Sequence, residues 1–323
     1  MRILFLGKNH SQGLKESDPS SFAGRALELG HELVESLQNQ PEIVICVDYR
    51  GSDMRIINQA RKSGIPTVLI INEPEVVIPQ QYSKQIRRKF NKVLEIGRPD
   101  SSPRLKWPQT FRSISKITDR RQSAVMINAD KWSFITGQLY WLRAGVASEC
   151  STVEVIGHGW IRPFWIRVSH RLFELLRTIA AFRLPNVEGI RYLLSRPISY
   201  KGTAEDKVEA MSAYKVAVVI ENSQMLVTEK LFDAWFAGCV PVYVGPDLRS
   251  LDLPSDLAFP SLPSRSALEK AIAIAMAEDH TRFLQKLEHF LESSAAADWR
   301  SDNAIRAALD AALDTNVRQR FCY

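Results

Sequence analysis

Short apolar runs alternate with amphipathic stretches along the first hundred residues, and most of the runs end on a polar group. Residues 2–6 read as a strand. A helix is expected over 22–38, with Phe22, Ala26, Leu29, Leu33 and Leu37 on one stripe. Ile43–Val47 is the next strand and ends at Asp48, and a helix over 53–63 is closed by Gly64. Thr67–Ile71 follows as a strand that ends at Asn72 and Glu73. A third helix is expected over 80–90 and a short strand over 92–96. Strands and helices in alternation predict a mostly parallel sheet.

Residues 98–122 break this rhythm. They contain Pro99, Pro103 and Pro108 and carry no period, so they read as a loop or a connection between domains. A second α/β pattern then begins, with a strand over 124–128, a helix over 135–148 and the strand Val153–Ile156. That strand leads into Gly157-His158-Gly159. Over 160–196, Trp165, Val168, Leu172, Leu175 and Leu176 suggest a helical stripe, while Arg167, Arg171, Arg177 and Arg183 suggest a cationic side. Three further helices are expected over 267–278, 280–292 and 301–315, after a Pro, Leu, Asp and Ser-rich loop.

The sharpest local pattern is 214–246. An apolar run ends in Glu221-Asn222-Ser223, a polar loop follows, and Thr228-Glu229-Lys230 opens an apolar-faced helix. The helix stops at Gly238, and a second apolar run, Val240–Val244, ends at Gly245-Pro246. This strand, loop, helix and strand unit puts its polar groups at one edge, where open α/β sheets bind ligands. Backbone N–H groups at the start of such a helix favour an anion, and Lys230 adds a mobile positive charge, so a diphosphate suits both. Glu229 suits sugar or ribose hydroxyls, although plain N-terminal capping beside a solvated Glu-Lys pair explains the same residues. Glu73 and Glu75 flank Pro74 at another expected sheet edge, where a carboxylate on a restrained loop suits a general base. Asn9 and His10 lie at the same expected edge. A plain surface turn accounts for the acids equally well. The glycines around His158 fit either a turn or a backbone close to a ligand.

Composition narrows the classes. A chain of 323 residues, 45% hydrophobic and 24% charged, buries one large core or two medium ones. No run approaches 18 apolar residues, against a membrane-spanning helix. The opening MRILFLG has too short an apolar run for a signal peptide, with charge returning at Lys8. Cys46, Cys150, Cys239 and Cys322 match no zinc or redox spacing. The expected location is the cytoplasm, extending to the inner face of a membrane. The net charge is +6, with twelve Lys or Arg in 84–121 and seven Arg in 160–200. Such fields attract phosphate-bearing partners, either a nucleotide-activated donor or an anionic membrane face. No nucleic-acid-binding signature accompanies them. Phosphate-loop, HExxH, Gly-x-Ser-x-Gly and DxD patterns are absent, against ATPase, zinc-hydrolase, serine-hydrolase and DxD-type metal-dependent sugar-nucleotide chemistry.

The stretch YKVAVVIENSQMLVTEKLFDAWFAGCVPVYVG closely resembles the nucleotide-sugar-binding motif of α-1,3-fucosyltransferases. Glu73-Pro74-Glu75 looks like that family's acidic loop, and weaker likeness runs over about 65–250, including 89–101, 137–143 and 157–159. The resemblance implies an α/β fold of two Rossmann-like domains facing across a cleft, the GT-B architecture. The implied domains are 1–121 on the acceptor side and 122–300 on the nucleotide-sugar side, with a basic helical insertion near 160–200. A C-terminal helix over 301–323 is compatible with packing back on the first domain.

It further implies an inverting transferase that moves fucose from GDP-fucose to a glycan hydroxyl, with no metal required and no covalent cofactor. The suggested acceptor is a bacterial surface polysaccharide or lipid-linked oligosaccharide, with a free metabolite as an alternative. Lys230 would meet the diphosphate, and Glu229 would hold ribose or sugar hydroxyls. Glu221, Asn222, Ser223 and Thr228 would build the pocket, and Gly157 would border it. Glu73 would be the base, Glu75 the second choice, with Asn9 and His10 on the acceptor side. Two positions depart from the family: Leu226 stands for its tyrosine, and Ile135-Thr136-Gly137 stand where an arginine is usual. Lys131, Arg143 and Arg162 are the candidates to replace that arginine. The alternatives are a different nucleotide sugar, or a glycan- or nucleotide-binding member without turnover.

Overall fold

A computed structural model of the chain describes residues 1–7, 21–181 and 183–314. The chain forms two compact units. One is Met1–Thr110 together with the segment from Asp298, and the other is Phe111–Ala297.

The first unit holds a five-stranded parallel sheet. Its strands are β1 (Arg2–Gly7), β2 (Glu32–Leu33), β3 (Ile43–Val47), β4 (Thr67–Ile71) and β5 (Lys92–Glu95). They lie in the order β2-β1-β3-β4-β5. β3 and β4 are buried at every position. That is why each appears in the sequence as an unbroken apolar run: a parallel sheet is covered on both faces. One face is covered by the helices Phe22–Glu28 and Ser301–Leu313, whose Ala26, Ile305, Ala308 and Leu309 join Ile3, Ile43 and Ile70 in one core. The other face packs Ile57 and Ala60 of the helix Met54–Lys62 against Leu4, Val44 and Leu69.

The helix expected over 22–38 ends ten residues early, at Glu28. Gly30 turns the chain with φ +79°, and the N–H of His31 returns to Ala26 O at 3.0 Å. Leu33 then belongs to β2, and Leu37 to a single 3₁₀ turn. The helix expected over 80–90 is likewise two short pieces, Pro79–Tyr82 and Lys84–Arg87, the second capped by Ser83.

The second unit repeats the plan. Its strands are β6 (Arg121–Ile127), β7 (Val153–Ile156), β8 (Tyr214–Ile220), β9 (Val240–Val244) and β10 (Phe259–Pro260). They run parallel in the order β10-β9-β8-β6-β7. Counted from its own first strand, this is the order of the first unit. The two halves therefore share a topology, which goes beyond the general α/β likeness in the sequence. In this arrangement the crevice where the strand order reverses lies beside the first and third strands of each unit. Those are β1 and β3 in one unit, β6 and β8 in the other.

The helix Phe164–Ala180 corrects the expected cationic side. Arg167 and Arg171 are buried rather than solvated. Arg167 donates to Asp130 Oδ2 at 2.8 Å and to the carbonyls of Leu194 and Ser195. Arg171 donates to Asp130 Oδ1 and to Leu193 O, with its guanidinium over the Trp132 ring. The apolar stripe faces outward instead, with Trp165 73% and Leu172 54% exposed. Among the described residues, no helix is long and apolar enough to cross a membrane.

Candidate functional site

At the carboxyl end of β8 the chain leaves the sheet through Glu221, Asn222 and Ser223, and a short loop leads to the helix Glu229–Phe236. The Glu221 side chain is fully buried. Its Oε1 accepts the Thr228 N–H at 3.0 Å, and its Oε2 accepts the Thr228 hydroxyl at 2.6 Å. Lys230 Nζ donates to Thr228 Oγ1 at 2.7 Å and lies 3.5 Å from Glu221 Oε2. Thr228 occupies the N-cap position, but its hydroxyl serves Glu221 and Lys230 rather than the helix N–H groups. The first turn thus keeps N–H groups that its own cap residue leaves unsatisfied. Gly245 completes the packing: a Cβ there would sit 2.2 Å from Tyr243 Oη and 2.8 Å from Glu221 Cγ.

Glu229 points to a more open side, 3.7 Å from Lys207 and 3.9 Å from Lys230. Burial opposes its ionisation, but the two ammonium groups together with hydrogen bonds from the Glu229 backbone and Thr228 bring its pKa down to about 2. Asp233, one turn along the helix, goes the other way. Burial and then the Glu229 charge raise its carboxyl to about 6.

Arg143, a candidate for the missing arginine, is buried behind this loop. It donates from Nε and Nη2 to Ile220 O at 3.1 and 2.6 Å, and from Nη2 to Asn222 Oδ1 at 2.9 Å. Its guanidinium lies 4.8 Å from the Tyr140 ring centroid. It holds the end of β8 and orients Asn222. Ser223 is bridged to Gln138 and accepts the Met225 N–H at 3.3 Å. Gln138 is fully buried, and its Nε2 has no hydrogen-bond partner among the described residues.

The remaining donor-side candidates follow β6 and β7 at the same carboxyl edge. Lys131 and Arg162 are exposed. Gly157 has φ +147°, and a Cβ on it would lie 2.1 Å from Asn128 O. The glycine is therefore required by the approach of two chain segments. Among the described residues, no three His, Cys, Asp or Glu side chains gather in a way that could hold a metal ion.

In the first unit Glu73 and Glu75 are half-buried on the loop after β4. That loop is organised by Asp48, which ends β3 with φ +56° and is 1% exposed. Asp48 Oδ1 accepts the N–H groups of Asn72 and Glu73 at 2.9 and 2.8 Å. Glu73 O accepts from Gln81 Nε2 and the Tyr82 hydroxyl. Burial raises the Asp48 carboxyl to about 6, although the two N–H groups pull it down. Asn9 and His10 lie outside the described residues.

The sequence marked Asp48 only as the end of a strand, and it gave Asp233, Lys207 and Gln138 no role. An acid directly after five apolar residues was the available signal for Asp48. The basic stretch 84–121 is also less of an open field than its composition suggests. Arg120 is buried among the carbonyls of Ser115, Ser212, Tyr214 and Ala237. Arg87 and Arg98 pair with Glu95, and Lys92 donates to Ala311 O.

No family model matches the chain, and no curated protein matches it. Solved structures do. The crystal structure of an alpha1,3-fucosyltransferase aligns with 98% of this chain and 91% of its own, at a TM-score of 0.55 and 13% identity. Alr3699/HepE of Anabaena, in complex with UDP and glucose, aligns with 96% of this chain and 99% of its own, at 0.53 and 14%. An alpha1,3-fucosyltransferase with GDP-fucose gives 0.52 and 13%, over 98% and 91%. The fold is that of GT-B glycosyltransferase structures: two parallel α/β sheets with helices.

Proposed function

We propose that the chain is a glycosyltransferase that takes its sugar from a nucleotide diphosphate donor, and that the donor is GDP-fucose. The observation that carries this reading is the Glu221–Thr228–Lys230 assembly. A buried carboxylate fixes a lysine ammonium beside a helix N-terminus at the carboxyl edge of a parallel sheet. Two sources of positive potential then meet one diphosphate, and they stabilise the charge that develops on the leaving group without calling on a metal.

Glu229, ionised and more exposed, is the acceptor for ribose or sugar hydroxyls. Asn222, fixed by Arg143, lines the same pocket with Ser223. Gly157, Lys131 and Arg162 border it. Glu73 is the proposed base, with Glu75 second. Removing the acceptor proton lets its oxygen attack the anomeric carbon opposite the departing GDP, with inversion. The proposed acceptor is a glycan hydroxyl, in an α-1,3 linkage, on a surface polysaccharide or lipid-linked oligosaccharide. The proposed place of work is the cytoplasmic side of a membrane. Support for fucose comes from the 214–246 motif and from the fold shared with alpha1,3-fucosyltransferase structures.

A second reading, transfer from a different nucleotide sugar, is favoured by one observation. The HepE complex with UDP and glucose shares the fold over nearly as much of the chain, 96% against 98%.

Calorimetric titration with GDP, UDP, ADP and CMP, with and without divalent metal, separates these readings. Selective binding of GDP without metal supports the first. Preference for UDP keeps the transferase and discards fucose. A folded protein that binds none of the four overturns both.

A further inference from the structure

We infer that the outer face of the helix Phe164–Ala180 docks the protein on an anionic lipid surface, lying in the headgroup layer without spanning it. The helix is built inside out. Arg167, Arg171 and Thr178, at spacings of four and seven, form its buried side. Asp130 and three backbone carbonyls bind the two guanidinium groups there. This fixes the rotation of the helix about its own axis, so the opposite side must face out. That side carries Trp165, Leu172, Phe173, Leu176 and Ile179, each more than half exposed, over a length of about 21 Å. Ile161 before the helix and Leu184 after it are exposed as well, by 67% and 91%.

So large a contiguous apolar surface marks an interaction site. The charge around it selects the occupant. Arg162 and Arg183 are exposed just beyond the two ends of the helix, and the only acids in the sequence over 160–200 are Glu174 and Glu188. Glu174 is half-buried against Arg177. An apolar stripe with tryptophan and leucine, flanked by arginines, is the composition of an interfacial helix on anionic lipid. A second copy packed along the stripe would set the arginines at the helix ends against its own, so lipid is the better partner. The docking deepens the transferase reading by placing the acceptor at a membrane, and it rests on that reading only for the acceptor.

The test uses the full chain and vesicles of phosphatidylcholine with or without phosphatidylglycerol, read by co-sedimentation. Expected is binding to the anionic vesicles, weakened by salt, with a blue shift of tryptophan emission that Trp165→Phe diminishes. The triple variant Trp165→Ser, Leu172→Ser, Leu176→Ser changes only exposed side chains. It should partition at least about tenfold more weakly with an unchanged thermal midpoint and unchanged nucleotide affinity. A folded wild-type protein that stays in the supernatant overturns the proposal. So does a triple variant that binds like wild type, or a dimer by light scattering that the triple variant dissolves. Nucleotide titration of the same preparation reports separately on the transferase reading.

Discussion

Arg143 Nη2 donates to Asn222 Oδ1 at 2.9 Å across 79 residues of sequence, and the same nitrogen reaches Ile220 O at 2.6 Å. One guanidinium therefore fixes both the end of β8 and the first side chains beyond it. Lysine has one nitrogen and cannot reproduce this fork. Arg143→Lys is expected to lose about 2 kcal/mol of stability, because buried acceptors lose their donors. It should also weaken nucleotide binding. A urea midpoint and a GDP titration equal to wild type would remove Arg143 from the site.

Lys230→Ala takes away the ammonium proposed to meet the diphosphate. A charge-assisted hydrogen bond is worth about 1.5–3 kcal/mol, so GDP affinity should fall on the order of tenfold to a hundredfold. Calorimetry on the folded variant reads this directly, and an unchanged dissociation constant rejects the phosphate role.

Glu73→Gln removes a base and keeps the shape of the loop. Transfer to the acceptor should drop by about a hundredfold or more, while GDP binding stays as in wild type. Transfer at the full rate would clear Glu73 of that role.

Asp48 makes a pH prediction. Its carboxyl is raised from 3.8 to about 6 in the fold, chiefly by burial, so ionising it costs more in the folded chain than in the unfolded one. Its contribution to stability is complete below about pH 4 and declines as the pH rises to about 6, by about 3 kcal/mol in all. Asp48→Asn retains an oxygen for the N–H groups of Asn72 and Glu73 but does not titrate. The stability of the variant relative to wild type should therefore increase between pH 4 and pH 7 in chemical denaturation. A difference that is constant with pH refutes the assignment.

Some of this was legible in the chain and some was not, for reasons that lie in range. Ile43–Val47 and Thr67–Ile71 could be read to the residue, because strands covered on both faces leave nearly unbroken apolar runs with polar ends. The order Glu221-Asn222-Ser223, then Thr228-Glu229-Lys230, already placed the polar groups at one edge. What it did not contain was the pairing. That Thr228 turns its hydroxyl to Glu221, or that Arg143 lies behind Asn222, depends on strands meeting in space. The stripe over 164–180 was visible as a stripe, but amphipathic spacing does not say which face is inside. Asp130, 37 and 41 residues from its two arginines, decides that. Gly30 ended a helix that the apolar spacing carried on to Leu37.

The helix Ser301–Leu313 belongs to the first unit although it is made after the whole of the second. Ile305, Ala308, Leu309 and Ala312 complete the core that Ile3, Phe22 and Ile43 begin. A ribosome that has released the first 110 residues has therefore delivered a sheet with one apolar face only partly covered, by Phe22–Glu28 alone. The earliest segment to emerge is among the last to close, and the nascent chain carries an unfinished surface through nearly two-thirds of its synthesis. A fragment cut at Thr110 inherits that surface permanently, and it should be recovered from expression as aggregate rather than as a small soluble domain.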